Sequence, residues 1–219
     1  MVDPDVKPRR YDNSGRAEQA RLSRRRIIDV AHESLLEEGW ARTTIASVAA
    51  RAGVSAETVY KRFGGKAGLL KAVYDVRMAG DDEPIAIADR PAFRAMVAER
   101  DPRRVVRAYA ALAHEFMERA GPLVSVLLRV RGVDPELVRF MATIDGERLA
   151  GATGLVSMLS AKGGLRPGLD ADRARDLVWA LISPELYDLL VDRRGWSLDD
   201  YETWLAQSLG SALLVDGTP

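Results

Sequence analysis

The stretch of sequence that decides the fold runs from Thr43 to Leu70 and reads TTIASVAARAGVSAETVYKRFGGKAGLL. Apolar residues recur in it at helical spacing, and glycines interrupt the pattern at Gly53 and at 64–65. The pattern predicts three helices, which begin after Thr44, near Ala56 and near Lys66. No part of the chain alternates apolar and polar residues as a half-buried strand does. We therefore expect an all-α protein.

Residues 52–55, Ala-Gly-Val-Ser, join the first two of these helices in a tight turn. Such a turn needs a residue that tolerates positive φ, and Gly53 supplies it. Ala49 is small enough for the second helix to cross closely over the first, and the Ser55 hydroxyl is suited to cap that second helix. This pattern is typical of a helix-turn-helix. A plain corner inside a helical bundle uses the same glycine and serine and is the alternative.

The outward positions of the second helix suit the major groove of DNA, because they are short, polar or basic. They are Ala56, Glu57, Thr58, Tyr60, Lys61 and Arg62. Further basic residues surround the turn, namely Arg21, Arg24, Arg25, Arg26, Arg42 and Lys66. The helix N-termini at Thr44 and Lys66 also present free backbone amides, which favour phosphate groups.

The charge of the chain is divided unequally. Residues 1–78 carry 15 Lys/Arg and 10 Asp/Glu, a net charge of +5, and the other 141 residues carry 17 and 22, a net charge of −5. A basic front part indicates contact with a polyanion, although chance also produces a surplus of this size. The basic residues of the first segment, Lys7, Arg9, Arg10 and Arg16, either reach the minor groove or belong to a solvated tail.

The sequence divides into four parts by composition. We predict a disordered basic tail over 1–19, a helix-turn-helix DNA-binding domain over 20–79, a linker over 80–90 and a second helical domain over 91–219. In the second domain, cap and proline signals predict helices near 102–119, 135–161, 171–193 and 198–214. We expect Pro184 to break the third of these, and Gly121-Pro122 to open a separate short apolar segment over 123–128.

The last two predicted helices are apolar nearly all round. Residues 177–182 read LVWALI without a polar interruption, and 198–213 carry a broad apolar stripe. Such helices must be covered on both sides. A partner subunit supplies the second cover in a dimer, whereas a central position in a monomer is the alternative.

At the helix-turn-helix, the sequence resembles the TetR family of transcriptional regulators. The resemblance covers about residues 20–78 and rests on a specific combination of motifs. The matching residues are Thr43-Thr44, Val48-Ala49, Ala52-Gly53-Val54-Ser55, Thr58-Val59-Tyr60, Phe63, Lys66 and Leu69-Leu70. The fold that it implies is a three-helix DNA-binding domain followed by a helical ligand-binding and dimerisation domain.

The resemblance also implies roles for individual residues. Thr44 and Lys66 are expected to contact phosphates, and Thr58 and Tyr60 to hold the DNA backbone. The more variable positions, from which base edges are read, are Ala56, Glu57, Lys61 and Arg62, and Arg42 and Ser55 complete the expected interface. Two positions depart from the family pattern: Ala46 stands where many relatives have a base-reading arginine, and Arg62 where a histidine is frequent.

For the second domain, the resemblance implies a homodimer formed through the last two helices. Such a dimer presents two recognition helices to a palindromic double-stranded DNA operator. It also implies a pocket for an unknown small-molecule effector whose binding releases the DNA, as a repressor requires. The candidate pocket residues are His114, Phe116, Met117, Phe140, Met141 and Trp179.

Other classes of protein find little support in the sequence. There are no cysteines and only two histidines, so thiol catalysis and a multi-histidine metal site are excluded. No catalytic or nucleotide-binding motif is complete, and we expect neither an enzyme nor a cofactor. We expect no membrane span and no secretory signal, and hence a cytoplasmic protein. A helix-turn-helix protein that binds only other proteins is the remaining alternative.

Overall fold

The computed structural model describes residues 13–132 and 134–215. Within these ranges the chain folds into α-helices, with a 3₁₀ turn at Ile87–Asp89 and a π-helical segment at Asp188–Arg193. The helices are α1 (Asn13–Arg42), α2 (Ile45–Ala52), α3 (Ala56–Phe63), α4 (Lys66–Ala79), α5 (Pro91–Ala98), α6 (Pro102–Leu128), α7 (Pro135–Ala161), α8 (Ala171–Leu181), α9 (Pro184–Tyr187) and α10 (Leu198–Leu213). The all-α prediction is confirmed, since one isolated bridge between Leu165 and Leu214 is the extent of β pairing in these ranges.

Side-chain caps fix the starts of the long helices where the sequence predicted them. The carboxylates of Asp101, Asp134 and Asp170 accept hydrogen bonds from backbone amides of the first turns of α6, α7 and α8. Ser197 caps α10 in the same manner. The predicted break at Pro184 is also present, since α8 ends at Leu181 and a new helical turn begins at that proline.

Two helices are longer than the sequence predicted. Residues 13–19, assigned to the disordered tail, form the start of α1. Residues 16–19, Arg-Ala-Glu-Gln, are good helix formers, and Glu18 pairs with Arg21 one turn later. Residues 1–12 lie outside the described ranges, so the predicted role of Lys7, Arg9 and Arg10 stays a prediction.

The second difference is that α6 continues through Pro122 to Leu128, whereas the sequence predicted a helix that ends near residue 119 and a separate short segment over 123–128. An internal proline costs about 3 kcal/mol or more. Continuing the helix keeps Ala120, Leu123 and Leu127 on one face, where each is almost completely buried. Burying the two leucine side chains contributes about 1.5–3 kcal/mol each, which offsets the proline.

Two clusters of buried apolar side chains form the interior. The first contains buried residues of α1 to α4, together with Leu123, Leu127, Leu137 and Phe140 of α6 and α7. The second joins α5, the front of α6, the rear of α7, α8 and α10. The first cluster therefore contains residues from both sides of the predicted linker at 80–90, and the helix-turn-helix part shares its core with the second domain.

The turn between α3 and α4 depends on a glycine inside α4. A Cβ added to Gly68 would overlap the backbone carbonyl oxygen of Phe63, so the end of α3 folds back directly onto the first turn of α4. Gly64, which ends α3, has a φ of 75°, a conformation that favours glycine. The orientation of α3 is thus fixed by backbone contact at Gly68.

We expect Gly68→Ala to destabilise the protein by about 1–3 kcal/mol, because α3 must move to admit the methyl group. The matched control is Gly154→Ala in α7, where an added Cβ meets no atom within 4 Å. That change should raise stability by up to about 1 kcal/mol, as alanine favours helix over glycine. Urea unfolding measures both, and equal stabilities for the two variants would contradict the close contact.

Candidate nucleic-acid interface and internal cavity

The two helices on either side of the α2–α3 turn are both capped. The Thr44 hydroxyl accepts a hydrogen bond from the Ser47 amide at 3.1 Å, and the Ser47 hydroxyl accepts one from the Thr44 amide at 3.1 Å. Gly53 takes the predicted left-handed conformation, with φ 70° and ψ 35°. The Ser55 hydroxyl then accepts a hydrogen bond from the Thr58 amide at 3.1 Å. The result is a rigid pair of short helices, as the sequence predicted.

The outer face of α3 presents side chains without partners. Glu57, Tyr60 and Lys61 are exposed, and Tyr60 retains 56% of its surface. Within the described ranges, none of the three has a side-chain hydrogen bond or an ion pair, so Glu57 and Lys61 do not pair with each other. These three side chains are free to contact another molecule.

Three predicted contact residues of α3 are partly engaged within the chain. Arg62 donates a hydrogen bond from Nη1 to the carbonyl oxygen of Ala20 in α1, at 2.9 Å. Ala56 packs against the first core cluster and is only half exposed. The Thr58 hydroxyl lies 2.8 Å from that of Ser55, within the cap of α3. Their predicted roles toward DNA remain predictions.

Most arginines near the turn are paired with acidic side chains. Arg21 pairs with Glu18, Arg24 with Asp82 and Arg25 with Asp29. Arg42 is exposed and donates to the carbonyl oxygen of Glu38 at 3.1 Å.

Arg26 differs from these arginines. It is exposed and unpaired within the described ranges, and its Nη2 atom lies 4.0 Å from the position of a Cβ on Gly53. Arg26 therefore stands beside the turn as an additional cation. The sequence placed it within an arginine cluster without singling it out.

Lys66, a predicted phosphate contact, is half-buried and held within the chain. Its ammonium donates to the carbonyl oxygen of Trp40 and lies 4.0 Å from the centroid of the Trp40 ring. The Trp40 indole donates to the Asp134 carboxylate at 2.8 Å. Burial lowers the pKa of Lys66, and the indole hydrogen bond lowers the pKa of Asp134. The starts of α4 and α7 are thus joined through Trp40.

A cavity of about 680 Å³ lies between the two core clusters. Residues of α4 to α7, α10, the linker and the α8–α9 junction line it. Its wall is mainly apolar and includes Met78, Phe93, Met96, Phe116, Leu155 and Met158. A volume of this size suits a drug-sized molecule.

Of the six predicted pocket residues, Phe116 and Met117 line this cavity. The other four do not, and each has a different environment. His114 contacts Glu202 of α10 at 2.7 Å, and Trp179 lies under the Arg148 guanidinium. Phe140 packs edge-on against Tyr74 in the first core cluster, and Met141 packs against the same cluster. Phe140, Met141 and Trp179 were predicted from their bulk, but bulky side chains fill cores as readily as they line cavities. His114 was predicted as a polar group that orients a ligand, and here it contacts Glu202 instead.

Two further residues, Tyr109 and Arg148, line the cavity and were not among the residues predicted from the sequence. Tyr109 precedes Phe116 by seven residues, a spacing that puts both on one face of α6. That periodicity was the available signal for Tyr109. Arg148 offered none, because an arginine in the middle of a long helix normally faces solvent.

Two sets of contacts connect the cavity wall with the DNA-binding helices. Arg119 of α6 donates to the carbonyl oxygens of Arg77 and Met78, at 3.1 and 3.2 Å, and so caps the end of α4. Asp82 in the linker accepts a hydrogen bond from Arg24 of α1 at 3.2 Å, and the Arg24 guanidinium lies 5.4 Å from the centroid of the Phe63 ring in α3. Movement of this wall would therefore act on α4 and α1.

This arrangement of a capped helix-turn-helix on an all-helical second domain is that of a DNA-binding regulator, and comparison with known proteins identifies the family. Residues 27–73 match the family described as bacterial regulatory proteins, tetR family. The chain is 30% identical over 189 residues to the HTH-type transcriptional regulator BetI 1 of Chromohalobacter salexigens, covering 75% of this chain and 91% of that protein. This protein belongs to the TetR family of DNA-binding transcriptional regulators.

Solved structures show the same fold at lower identity. NalD of Pseudomonas aeruginosa, the secondary repressor of the MexAB-OprM multidrug efflux pump, superimposes with a TM-score of 0.71 at 21% identity, covering 91% of this chain and 100% of NalD. FadR of Bacillus subtilis in complex with stearoyl-CoA superimposes with a TM-score of 0.68 at 20% identity, covering 86% and 98%. Among the described residues, no helix is both long and apolar enough to cross a membrane.

His32 of α1 provides a pH test of the packing beside α4. Its Nε2 atom is buried and has no hydrogen-bond partner in the described ranges, and burial, followed by the charge of Arg77, lowers the pKa of His32 to about 4. In the unfolded chain the imidazole regains its ordinary pKa of 6.5. As pH falls below that value, His32 takes up a proton in the unfolded state but remains neutral in the folded state down to about pH 4. Stability therefore decreases with falling pH.

We expect the free energy of unfolding to be about 1–2 kcal/mol lower at about pH 5 than at about pH 7, allowing for the partial exposure of the ring. His32→Leu removes the titrating group and should reduce this pH dependence by the same amount. Urea unfolding at both pH values measures the effect. The same decrease in both proteins would contradict a lowered pKa of His32.

Proposed function

We propose that this protein is a cytoplasmic, homodimeric repressor that binds a palindromic operator and is released from it by a small-molecule effector. The observation that carries the proposal is the outer face of α3, where Glu57, Tyr60 and Lys61 have no partner within the described ranges. The proposal also includes the division into a DNA-binding domain, a linker over 80–90 and a second domain over 91–219, with the first helix of the DNA-binding domain beginning at Asn13.

Docking of α3 in the major groove accounts for this uncovered face. Lys61 and Glu57 are placed to meet base edges, and the Tyr60 hydroxyl to meet a backbone phosphate. The N-terminus of α2 behind Thr44 adds backbone amides, and Arg26 adds a cation beside the turn. For Lys66 we propose a phosphate contact made by its backbone amide at the start of α4, because its ammonium is occupied by Trp40.

The surface of α10 supports a dimer through the last helices. From Thr203 to Leu214 the chain carries no charged residue, although charged residues make up 29% of the whole. The outermost side chains there are small or neutral, namely Thr203, Gln207 and Ser211, and all three are exposed. An uncharged helix face with small side chains lets another helix pack closely against it, which favours contact with α10 of a second copy.

The position of the cavity supports release by an effector. Its wall includes Tyr74 and Met78 of α4 and Asp82 of the linker, which are joined to α1, α3 and α6 by the contacts described above. A ligand that changes this wall changes the position of α4 and hence of α3. The complex of FadR with stearoyl-CoA and the description of NalD as a repressor support effector binding and repression here by analogy.

We expect Tyr60→Ala to weaken binding to every DNA tested by about ten-fold, because a backbone contact is lost regardless of sequence. Lys61→Ala should instead alter the preference among DNA sequences. The measurement is a mobility-shift titration at several salt concentrations, using DNA upstream of the protein's own gene and scrambled DNA.

Arg94→Ala is the control, since this exposed arginine lies on α5, away from the turn. Unchanged DNA affinity in the Tyr60 and Lys61 variants would contradict docking through α3. The complete absence of salt-dependent DNA binding in the unmodified protein would favour a helix-turn-helix that binds only protein partners.

The dimer is tested by sedimentation equilibrium. We expect the unmodified protein to be dimeric at micromolar concentration, and Gln207→Arg to raise the dimer dissociation constant at least about ten-fold, because it buries an unpaired charge at the interface. The matched control is Gln19→Arg, the same change on exposed α1. A monomer in the unmodified protein, or equal effects of the two variants, would contradict the proposed interface.

A further inference from the structure

The cavity wall includes three tyrosine hydroxyls that have no hydrogen-bond partner within the described ranges. Tyr74 of α4, Tyr109 of α6 and Tyr201 of α10 all line the cavity. Tyr74 and Tyr201 are more than nine-tenths buried, with 6% and 2% of their surfaces exposed. Within the described ranges, none of the three hydroxyls forms a hydrogen bond. The hydroxyl oxygens themselves are not among the completely buried atoms, so all three are open to a molecule in the cavity and can donate a hydrogen bond to it.

These hydroxyls are hydrogen-bond donors in their neutral form. Burial raises the pKa of Tyr109 and of Tyr201 to about 12 and also raises the pKa of Tyr74, so all three keep their protons. Arg148 of α7 lies near enough for its positive charge to act on each of them. That charge attracts the phenolic oxygens and favours orientations in which the protons point away from it.

Most charges around the cavity have a partner of opposite charge, although the Arg148 Nε atom is buried and has no hydrogen-bond partner within the described ranges. The Arg148 guanidinium donates to the Asp145 carboxylate at 2.7 Å and to the Trp179 carbonyl oxygen at 2.6 Å, and only 12% of its side chain is exposed. Of the acidic residues of the wall, Asp81 is bound to Arg90, Asp82 to Arg24 and Glu147 to Lys71. Glu83 is exposed and has no ion pair within the described ranges. A charged ligand held in the apolar part of the cavity would therefore lose hydration without gaining a buried, unpaired countercharge.

We propose that the cavity binds an uncharged, largely apolar molecule whose acceptor oxygens, from a ketone, ester or ether group, accept hydrogen bonds from hydroxyls of Tyr74, Tyr109 and Tyr201. The apolar body of the ligand lies against the methionine and phenylalanine side chains of the wall. Because Tyr74 belongs to α4 and the other two tyrosines do not, the acceptor oxygen connects the ligand to the DNA-binding part. This inference rests on the proposed effector site and names the chemistry of its ligand.

Four pyrene derivatives with one common apolar body test the proposal: pyrene, acetylpyrene, pyrene carboxylate and pyrenyl-methylammonium. Their fluorescence reports binding to the full-length protein. We expect acetylpyrene to bind at least about ten-fold more tightly than either charged derivative, because a charged head must be desolvated without a partner. Acetylpyrene should also bind more tightly than pyrene, which has no acceptor.

Conservative variants identify the hydroxyls. Tyr109→Phe and Tyr201→Phe should each weaken acetylpyrene binding by about five-fold and leave pyrene binding unchanged, as expected for the loss of one hydrogen bond. The matched control is Tyr187→Phe, because Tyr187 packs edge-on against Tyr201 but does not line the cavity. It should bind both probes as the unmodified protein does.

The proposal is overturned if acetylpyrene does not bind, if a charged derivative binds as tightly, or if the Phe variants weaken pyrene and acetylpyrene equally. Mobility shifts of the same proteins without probe show separately whether DNA binding is intact. If acetylpyrene binds as expected but leaves DNA affinity unchanged, the ligand chemistry stands and the effector role fails. If it also weakens DNA binding, both stand.

Discussion

The structure depends on α4 belonging both to the core beneath the helix-turn-helix and to the wall of the cavity. Its buried residues Leu69, Leu70 and Val73 complete the core beneath the helix-turn-helix, while Tyr74 and Met78 form part of the cavity wall. A helix held on both sides cannot move toward one without moving away from the other, because protein interiors are close-packed. The position of α3 follows from this constraint through the backbone contact between Gly68 and Phe63.

Polar contacts at the two ends of α4 also hold this helix in place. At its start, Lys66 is bound to Trp40, which is bound in turn to Asp134 at the start of α7. At its end, Arg119 caps the last carbonyl groups from α6. Partly buried contacts such as these are worth more than exposed ion pairs on a surface, because solvent screens them less. The helix therefore has a defined position from which a ligand would have to displace it.

The sequence predicted the local structure well and the tertiary relations poorly. Gly53, Ser55 and the aspartate caps act within a few residues, so their effects could be derived from spacing alone. The continuous α6 could not, because burial on one face outweighs Pro122 only when the neighbouring helices are present.

The same contrast between local and long-range effects holds for the candidate functional residues. The outer face of α3 was predictable from its residue types. Other contacts arise between residues distant in sequence, and no local pattern indicates them. They are the hydrogen bond from Arg62 to α1, the contact of Lys66 with Trp40 and the inward position of Arg148.

Amide hydrogen exchange of α4 in Arg119→Met tests the central role of this helix most directly, with Arg104→Met on the same helix α6 as the control. If α4 connects the cavity wall with the core beneath the helix-turn-helix, loss of the Arg119 cap will speed exchange over residues 69–79, including positions that face this core. Faster exchange confined to α6 around residue 119, with α4 unchanged, would contradict it.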